Sequence, residues 1–266
     1  MKDAALSGMG RRTAPPPISW LMQAALSRPA LISLAAGFTD NTTLPVEISR
    51  KVLDRVLRSS KSGRPALQYG ITACETNLRE LTAAHLRKLD TQAAEPAECW
   101  SDGVMKPKAH HSITPSVHFS SRVMITGGSQ QLLYMTLEAL CDEGDIVIVE
   151  DPTYFVFLSI LQSRGLRARG VRLERDGLDL AHLQAVLQQL KRSGELRRVK
   201  ALYFIGYFHN PTGVTTSFEK KQGMVKLLKK FEGAAGHPIY LIEDAAYREL
   251  RFKGPDIKSV LMVPGA

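Results

Sequence analysis

Cysteine is scarce in this sequence. Cys74, Cys99 and Cys141 are the only three in 266 residues, odd in number and widely spaced. No CxxC pair or Cys/His spacing of the ligand type accompanies them. That excludes a disulfide framework and a zinc ribbon, and fits a reducing compartment. Long apolar runs are lacking too, since none approaches the roughly 18 residues that a membrane-spanning helix needs. The segment Met1-Lys2-Asp3-Ala4-Ala5-Leu6-Ser7 lacks the basic-then-apolar layout of a secretory signal. A cytoplasmic protein with no membrane partner is therefore expected. Acidic residues are the minority, 26 against 35 Lys and Arg, a net charge of +9. The basic excess sits in short runs such as Lys226-Leu-Leu-Lys229-Lys230 and Arg164 to Arg172, without a helix-turn-helix pattern or aromatic interleaving. Solvated basic faces are the reading, and no nucleic-acid partner is expected.

The apolar material present is enough for one large α/β core: 44% hydrophobic residues, punctuated by 20 Gly and 14 Pro. Residues 1–45 read as irregular, because Pro15-Pro16-Pro17 interrupts any helix and Gly37 and Pro45 punctuate the rest of the segment. Apolar residues recur at helical spacing from Val46 to Ser59 and again from Asn77 to Leu89. Residues 91–118 carry three prolines and the pair His110-His111 without periodicity, and read as a long surface loop. Two adjacent histidines with no third ligand nearby do not make a metal site, so no metal is expected.

Beyond Ser121 the pattern alternates. Val123–Thr126, Ile146–Val149, Arg167–Leu173, Val199–Ile205 and Ile239–Ile242 read as strands. Helical stretches separate them: Gln130–Leu140, the run after Tyr154, the run after the N-cap candidate Asp179, and Phe218–Phe231. Such alternation predicts a three-layer α/β/α fold with a mostly parallel sheet, whose ligands bind beyond the carboxyl ends of the strands.

Four polar clusters lie just past predicted strand ends. Thr126-Gly127-Gly128-Ser129-Gln130-Gln131 opens a helix. Its glycines allow a tight turn, Ser129 can cap, and the free amides of the first turn suit a phosphate; an ordinary capped junction is the plain alternative. Glu150-Asp151-Pro152-Thr153-Tyr154 presents an aromatic face able to stack on a planar heterocycle, or merely to anchor the next helix. His209-Asn210-Pro211-Thr212-Gly213 is a turn that can aim the Asn210 amide into the crevice. Glu243-Asp244-Ala245-Ala246-Tyr247 sets a carboxylate at a strand end, where it either meets a cation such as a protonated pyridine or caps the next turn.

Taken in this order, Gly-Gly-Ser-Gln-Gln, Asp-Pro-Thr-Tyr, Asn-Pro-Thr-Gly and Asp-Ala-Ala-Tyr resemble the large domain of the class I/II aminotransferases of fold type I. Leu67-Gln68-Tyr69-Gly70, Leu78-Arg79-Glu80-Leu81 and Ile32-Ser33-Leu34-Ala35-Ala36-Gly37 resemble its upstream segments. The likeness runs from about Ile32 to Tyr247 and is strongest to the aminoadipate/kynurenine-type subgroup.

The resemblance implies pyridoxal 5′-phosphate (PLP) as cofactor and transamination between an α-amino acid and a 2-oxo acid. Gly128, Ser129 and Gln130 would hold its phosphate and Tyr154 would stack on its ring. Asn210 and Tyr247 would bond its phenolic oxygen, and Asp244 would pair with its ring nitrogen. Gly37 would lie beside the substrate. Tyr69 would reach the neighbouring subunit's phosphate, which implies a homodimer. Residues 1–45 would be an arm and small-domain segment, and 46–266 an incomplete PLP-binding domain.

The family's Schiff-base lysine and its substrate-binding arginine would fall beyond Ala266, so no catalytic residue is assigned and the 266 residues alone are expected to be inactive. Lys253 and Lys258 read as surface lysines. Cys74 stands where the family often has glycine. A ligand-sensing domain of a transcription regulator, or a PLP lyase on the same fold, are the rival readings.

Overall fold

The computed structural model describes residues 5–28, 30–32, 39–93 and 122–266. The expected loop at 91–118 with His110-His111 lies almost wholly outside them, as does Gly37. Five strands form one sheet: β1 (Ile146–Asp151), β2 (Arg167–Glu174), β3 (Gly177–Leu178), β4 (Val199–Ile205) and β5 (Tyr240–Asp244). Their order is β3-β2-β1-β4-β5. β1 pairs in parallel with β2 and β4, and β4 with β5, while the two-residue β3 runs antiparallel to β2. The mostly parallel sheet expected from the alternation is thus present.

Nine α-helices among the described residues complete the order. α1 (Gly8–Arg12), α2 (Pro17–Leu26), α3 (Val46–Leu57), α4 (Ser60–Leu67) and α5 (Thr76–Gln92) precede the sheet. α6 (Ser129–Leu140), α7 (Phe155–Arg164), α8 (Leu180–Arg192) and α9 (Phe218–Ala235) alternate with its strands. Because side chains alternate along a strand, β4 feeds two cores. Ala201, Tyr203 and Ile205 pack with Leu133 and Leu137 of α6 and Phe157 and Leu161 of α7. Val199, Leu202 and Phe204 pack with Leu183 and Leu187 of α8 and Met224 and Leu228 of α9. Helices therefore cover both faces. α8 shows how the sequence sets this up. Its Asp179 carboxylate accepts the His182 amide at 2.9 Å, and Leu183, Val186, Leu187 and Leu190 fall on the one buried stripe.

The structure corrects three expectations. Residues 1–45 are not wholly irregular: Pro17 is the first residue of α2, where its missing N–H costs nothing, so the proline run starts a helix instead of preventing one. Val123–Thr126 is not a strand, since it joins no ladder among the described residues, and a short apolar run without a partner strand does not make one. Lys258 is half-buried, its carbonyl accepting from Lys221 Nζ at 2.8 Å, whereas Lys253 is exposed as expected. α3 forms where its periodicity predicts, yet none of its residues is buried. Cys74 has φ 69°, in the left-handed region that favours glycine.

Candidate active site at the carboxyl edge of the sheet

Parallel pairing brings the carboxyl ends of β1, β4 and β5 to one edge. The chain leaves β1 through α7 toward β2 and returns through α8 to β4 on the other side of β1, so β1 and β4 flank a topological switch point. Tyr154 comes just after β1, Asn210 just after β4, and Asp244 ends β5 with Tyr247 close beyond. All four are half-buried.

Gln130, in the first turn of α6, donates Nε2–H to the Tyr154 hydroxyl at 3.2 Å. Burial raises the Tyr154 phenol above its ordinary pKa, and the charges of Tyr247 and Asp244 push the same way against the Gln130 hydrogen bond. Tyr154, Tyr247 and Asp244 are therefore electrostatic neighbours. Asp244 has both oxygens engaged: Oδ2 accepts from the Tyr203 hydroxyl at 2.9 Å and Oδ1 from the Ala246 amide at 3.1 Å. Both donors are neutral, which leaves the carboxylate's charge open to a cation on the crevice side.

The start of α6 differs from the sequence reading in one respect. Ser129 does not cap the helix but is its first residue, and the cap position is Gly128, at φ 123°, which has no side chain to offer. The Gly127 amide is taken by Gln131 Oε1 at 2.6 Å, and Thr126 Oγ1 donates to the Gly128 carbonyl at 2.9 Å, which holds the turn. A Cβ at Gly128 would meet nothing within 4 Å. The amides of the first turn thus face open space without a side-chain cap, and the helix dipole favours an anion there. Gly128, Ser129 and Gln130 are exposed.

Behind the Asn210 turn lies a buried pair that the motif reading did not use. His209 Nε2 is 3.1 Å from Glu150 Oε2, both side chains being fully buried, and the same oxygen accepts the Ile205 amide at 2.8 Å. His209 Nδ1 lies 3.0 Å from Thr212 Oγ1, and the His209 amide bonds the Val214 carbonyl at 2.8 Å. The base of the turn is thereby tied to the end of β1. Tyr203 also escaped the motif reading. Its signal was a tyrosine inside the apolar run Ala201–Ile205, where a hydroxyl needs a partner.

Tyr69 is 98% exposed on the stretch after α4. Among the described residues no group of three or more His, Cys, Asp or Glu could hold a metal ion, and no helix is long and apolar enough to cross a membrane.

Residues 31–265 match the family described as aminotransferase class I and II. The chain is 30% identical over 230 residues to the aromatic-amino-acid aminotransferase 1 of Thermococcus litoralis, covering 86% of this chain and 47% of that one. To the 2-aminoadipate transaminase of Thermus thermophilus it is 28% identical over 225 residues, 85% of this chain and 45% of the other. Among solved structures, the kynurenine aminotransferase of Pyrococcus horikoshii superposes with a TM-score of 0.77 at 26% identity, over 97% of this chain and 55% of that one. The chain spans about half the length of these relatives. The sheet and its two helical layers are those of the fold type I PLP-transferase large domain, and the chain belongs to the class I and II aminotransferases.

Proposed function

We propose that the carboxyl edge of this sheet holds PLP and that the chain is the cofactor-holding part of a transaminase acting on an α-amino acid and a 2-oxo acid. The observation that carries the reading is the convergence of Tyr154, Tyr247 and Asp244 beside the uncapped start of α6. These residues fit the group. A phosphate suits the free amides around Gly128, Ser129 and Gln130. The Tyr154 ring offers a stacking face, Asn210 and Tyr247 offer donors to a phenolic oxygen, and Asp244 offers the counter-charge for a protonated ring nitrogen. When bound, PLP supplies the electron sink for deprotonation of the substrate. The protein's share is to orient the ring, keep its nitrogen charged through Asp244, and hold the phosphate as an anchor.

A homodimer is part of this proposal. The exposed side chains of Val46, Leu53 and Leu57 on α3, with Leu67 at the end of α4 and Tyr69 just beyond it, form apolar surface that a second subunit would cover. Residues 1–45 are proposed as an arm with residues 46–266 as the cofactor domain, and the setting as cytoplasmic. No lysine is among the proposed site residues, so the group that would bind PLP covalently is not assigned.

Titration of the chain with PLP, monitored by tyrosine and tryptophan fluorescence, tests the reading. Saturable binding that Asp244→Ala weakens at least tenfold is expected. Absence of saturable binding by the wild-type chain overturns it.

A further inference from the structure

We infer that Tyr203 is the positioning residue of this site: from inside the core, it fixes the Asp244 carboxylate in the orientation that meets the ring nitrogen. The inference rests on the proposed role of Asp244 and adds to it a residue that touches no ligand.

The geometry comes from the sheet itself. β4 and β5 run parallel with Tyr203 opposite Ile242, so Asp244 lies two residues further along the same face. That is an advance of roughly 6–7 Å, a distance a tyrosine side chain spans. The hydroxyl accordingly reaches Asp244 Oδ2, 2.9 Å away. The ring cannot swing elsewhere. Tyr203 is fully buried and stacks on Phe157 of α7, with centroids 3.7 Å apart and planes 17° apart.

The direction of the hydrogen bond is fixed as well. Burial raises the Tyr203 phenol far above its ordinary value, and the Asp244 and Glu150 charges add to this. Tyr203 is therefore a neutral donor at any working pH, and Asp244 the acceptor. With Oδ1 held by the Ala246 amide at 3.1 Å, both carboxylate oxygens have a fixed donor and the side chain has no free rotation. Pre-set orientation of a charged group avoids the cost of ordering it when the ligand arrives.

An ordinary buried tyrosine satisfying its own hydroxyl would show the same 2.9 Å contact, so the test must separate the two roles. Tyr203→Phe keeps the ring and its stacking on Phe157 and removes only the hydroxyl. The probes are PLP and 1-deaza-PLP, in which a ring C–H replaces the nitrogen. Tyr203→Phe is expected to raise the PLP dissociation constant about tenfold, the effect of one hydrogen bond to a charged group, and to leave 1-deaza-PLP affinity unchanged. In an Asp244→Asn background the same substitution should change neither affinity. Equal weakening for both probes, or no weakening of PLP, overturns the inference.

A second measurement needs no cofactor. The ¹³C signal of the Asp244 carboxylate in the ligand-free chain should move in Tyr203→Phe, and an unmoved signal also overturns the inference. Were the wild type to bind neither probe while that signal moved, the PLP reading would fail and the positioning of Asp244 by Tyr203 would stand.

Discussion

Removing the carboxylate of Glu243 should be the most damaging single change near the site that touches no proposed ligand. Lys221 of α9 is fully buried, with Nζ 2.7 Å from Glu243 Oε1, and the Glu243 side chain is only 7% exposed. Nζ also donates to the Lys258 carbonyl at 2.8 Å and lies 4.1 Å from the centre of the Tyr207 ring. Glu243 Oε2 accepts the Val260 amide at 2.8 Å. Burial depresses the Lys221 ammonium below its ordinary pKa, with the Glu243 charge opposing that shift. In Glu243→Gln the ammonium loses this direct counter-charge while keeping the carbonyl and the ring. Breaking one side of a buried pair costs about 3–5 kcal/mol, and total stabilities run at about 5–15 kcal/mol. Lys221→Met, which strands the carboxylate instead, should cost a similar amount. The double variant Glu243→Gln/Lys221→Met carries neither charge of the pair and still accepts from Val260, so it should fall within about 2 kcal/mol of wild type. Urea unfolding monitored by far-ultraviolet circular dichroism would measure all four proteins of the cycle. Single variants each costing under about 1 kcal/mol, or costs that simply add in the double variant, would refute the reasoning, because they would mean that Lys221 reaches water in the native state.

Two further predictions concern the same region and the opposite face. A Cβ at Gly206 would lie 2.3 Å from Glu243 Oε1 and 3.0 Å from its Cδ. Since Lys221 and Val260 pin that side chain, Gly206→Ala should cost about 1–3 kcal/mol in urea unfolding, and a smaller cost of the same substitution in a Glu243→Ala background would identify the clash as the cause. Burial pushes the Cys141 thiol up to about 11 from an ordinary 9.0, with the Asp145 charge helping. A raised folded-state value means that this stability is complete below pH 9 and is lost as pH rises toward 11. The difference of about two units corresponds to about 2–3 kcal/mol. The wild type should therefore lose that much more stability between about pH 8 and pH 11 than Cys141→Ala does, and parallel losses would contradict it.

How much of this was legible beforehand depends on the range of the interaction involved. β1, β2, β4 and β5 and helices α6 to α9 were visible because each pattern is local. A run such as Ile146–Val149 reports a strand buried on both faces, and the stripe of Leu183, Val186, Leu187 and Leu190 reports a helix with one covered side. The site motifs were visible for the same reason: glycines before a helix, an aromatic after Asp-Pro, and a carboxylate closing an apolar strand are short-range signals. Val123–Thr126 failed because a strand exists only by its hydrogen-bonded neighbour, which periodicity does not supply. The proline run failed in the other direction, since Pro17 stops a helix from entering but not from starting.

By itself, then, the sequence determined the fold class, the four polar clusters and the family they resemble, all of which rest on the order and spacing of residue types along the chain. Tertiary structure alone decided the rest. It brought Tyr154 to Gln130 and into the field of Asp244 and Tyr247, 24 to 117 positions away from Gln130 in sequence. It set Tyr203 on Asp244, closed Glu150 on His209, and buried Lys221 against Glu243. Each of these contacts depends on which strands are adjacent and in what register. Register is set by the whole sheet and its two cores, a collective property that no single segment encodes.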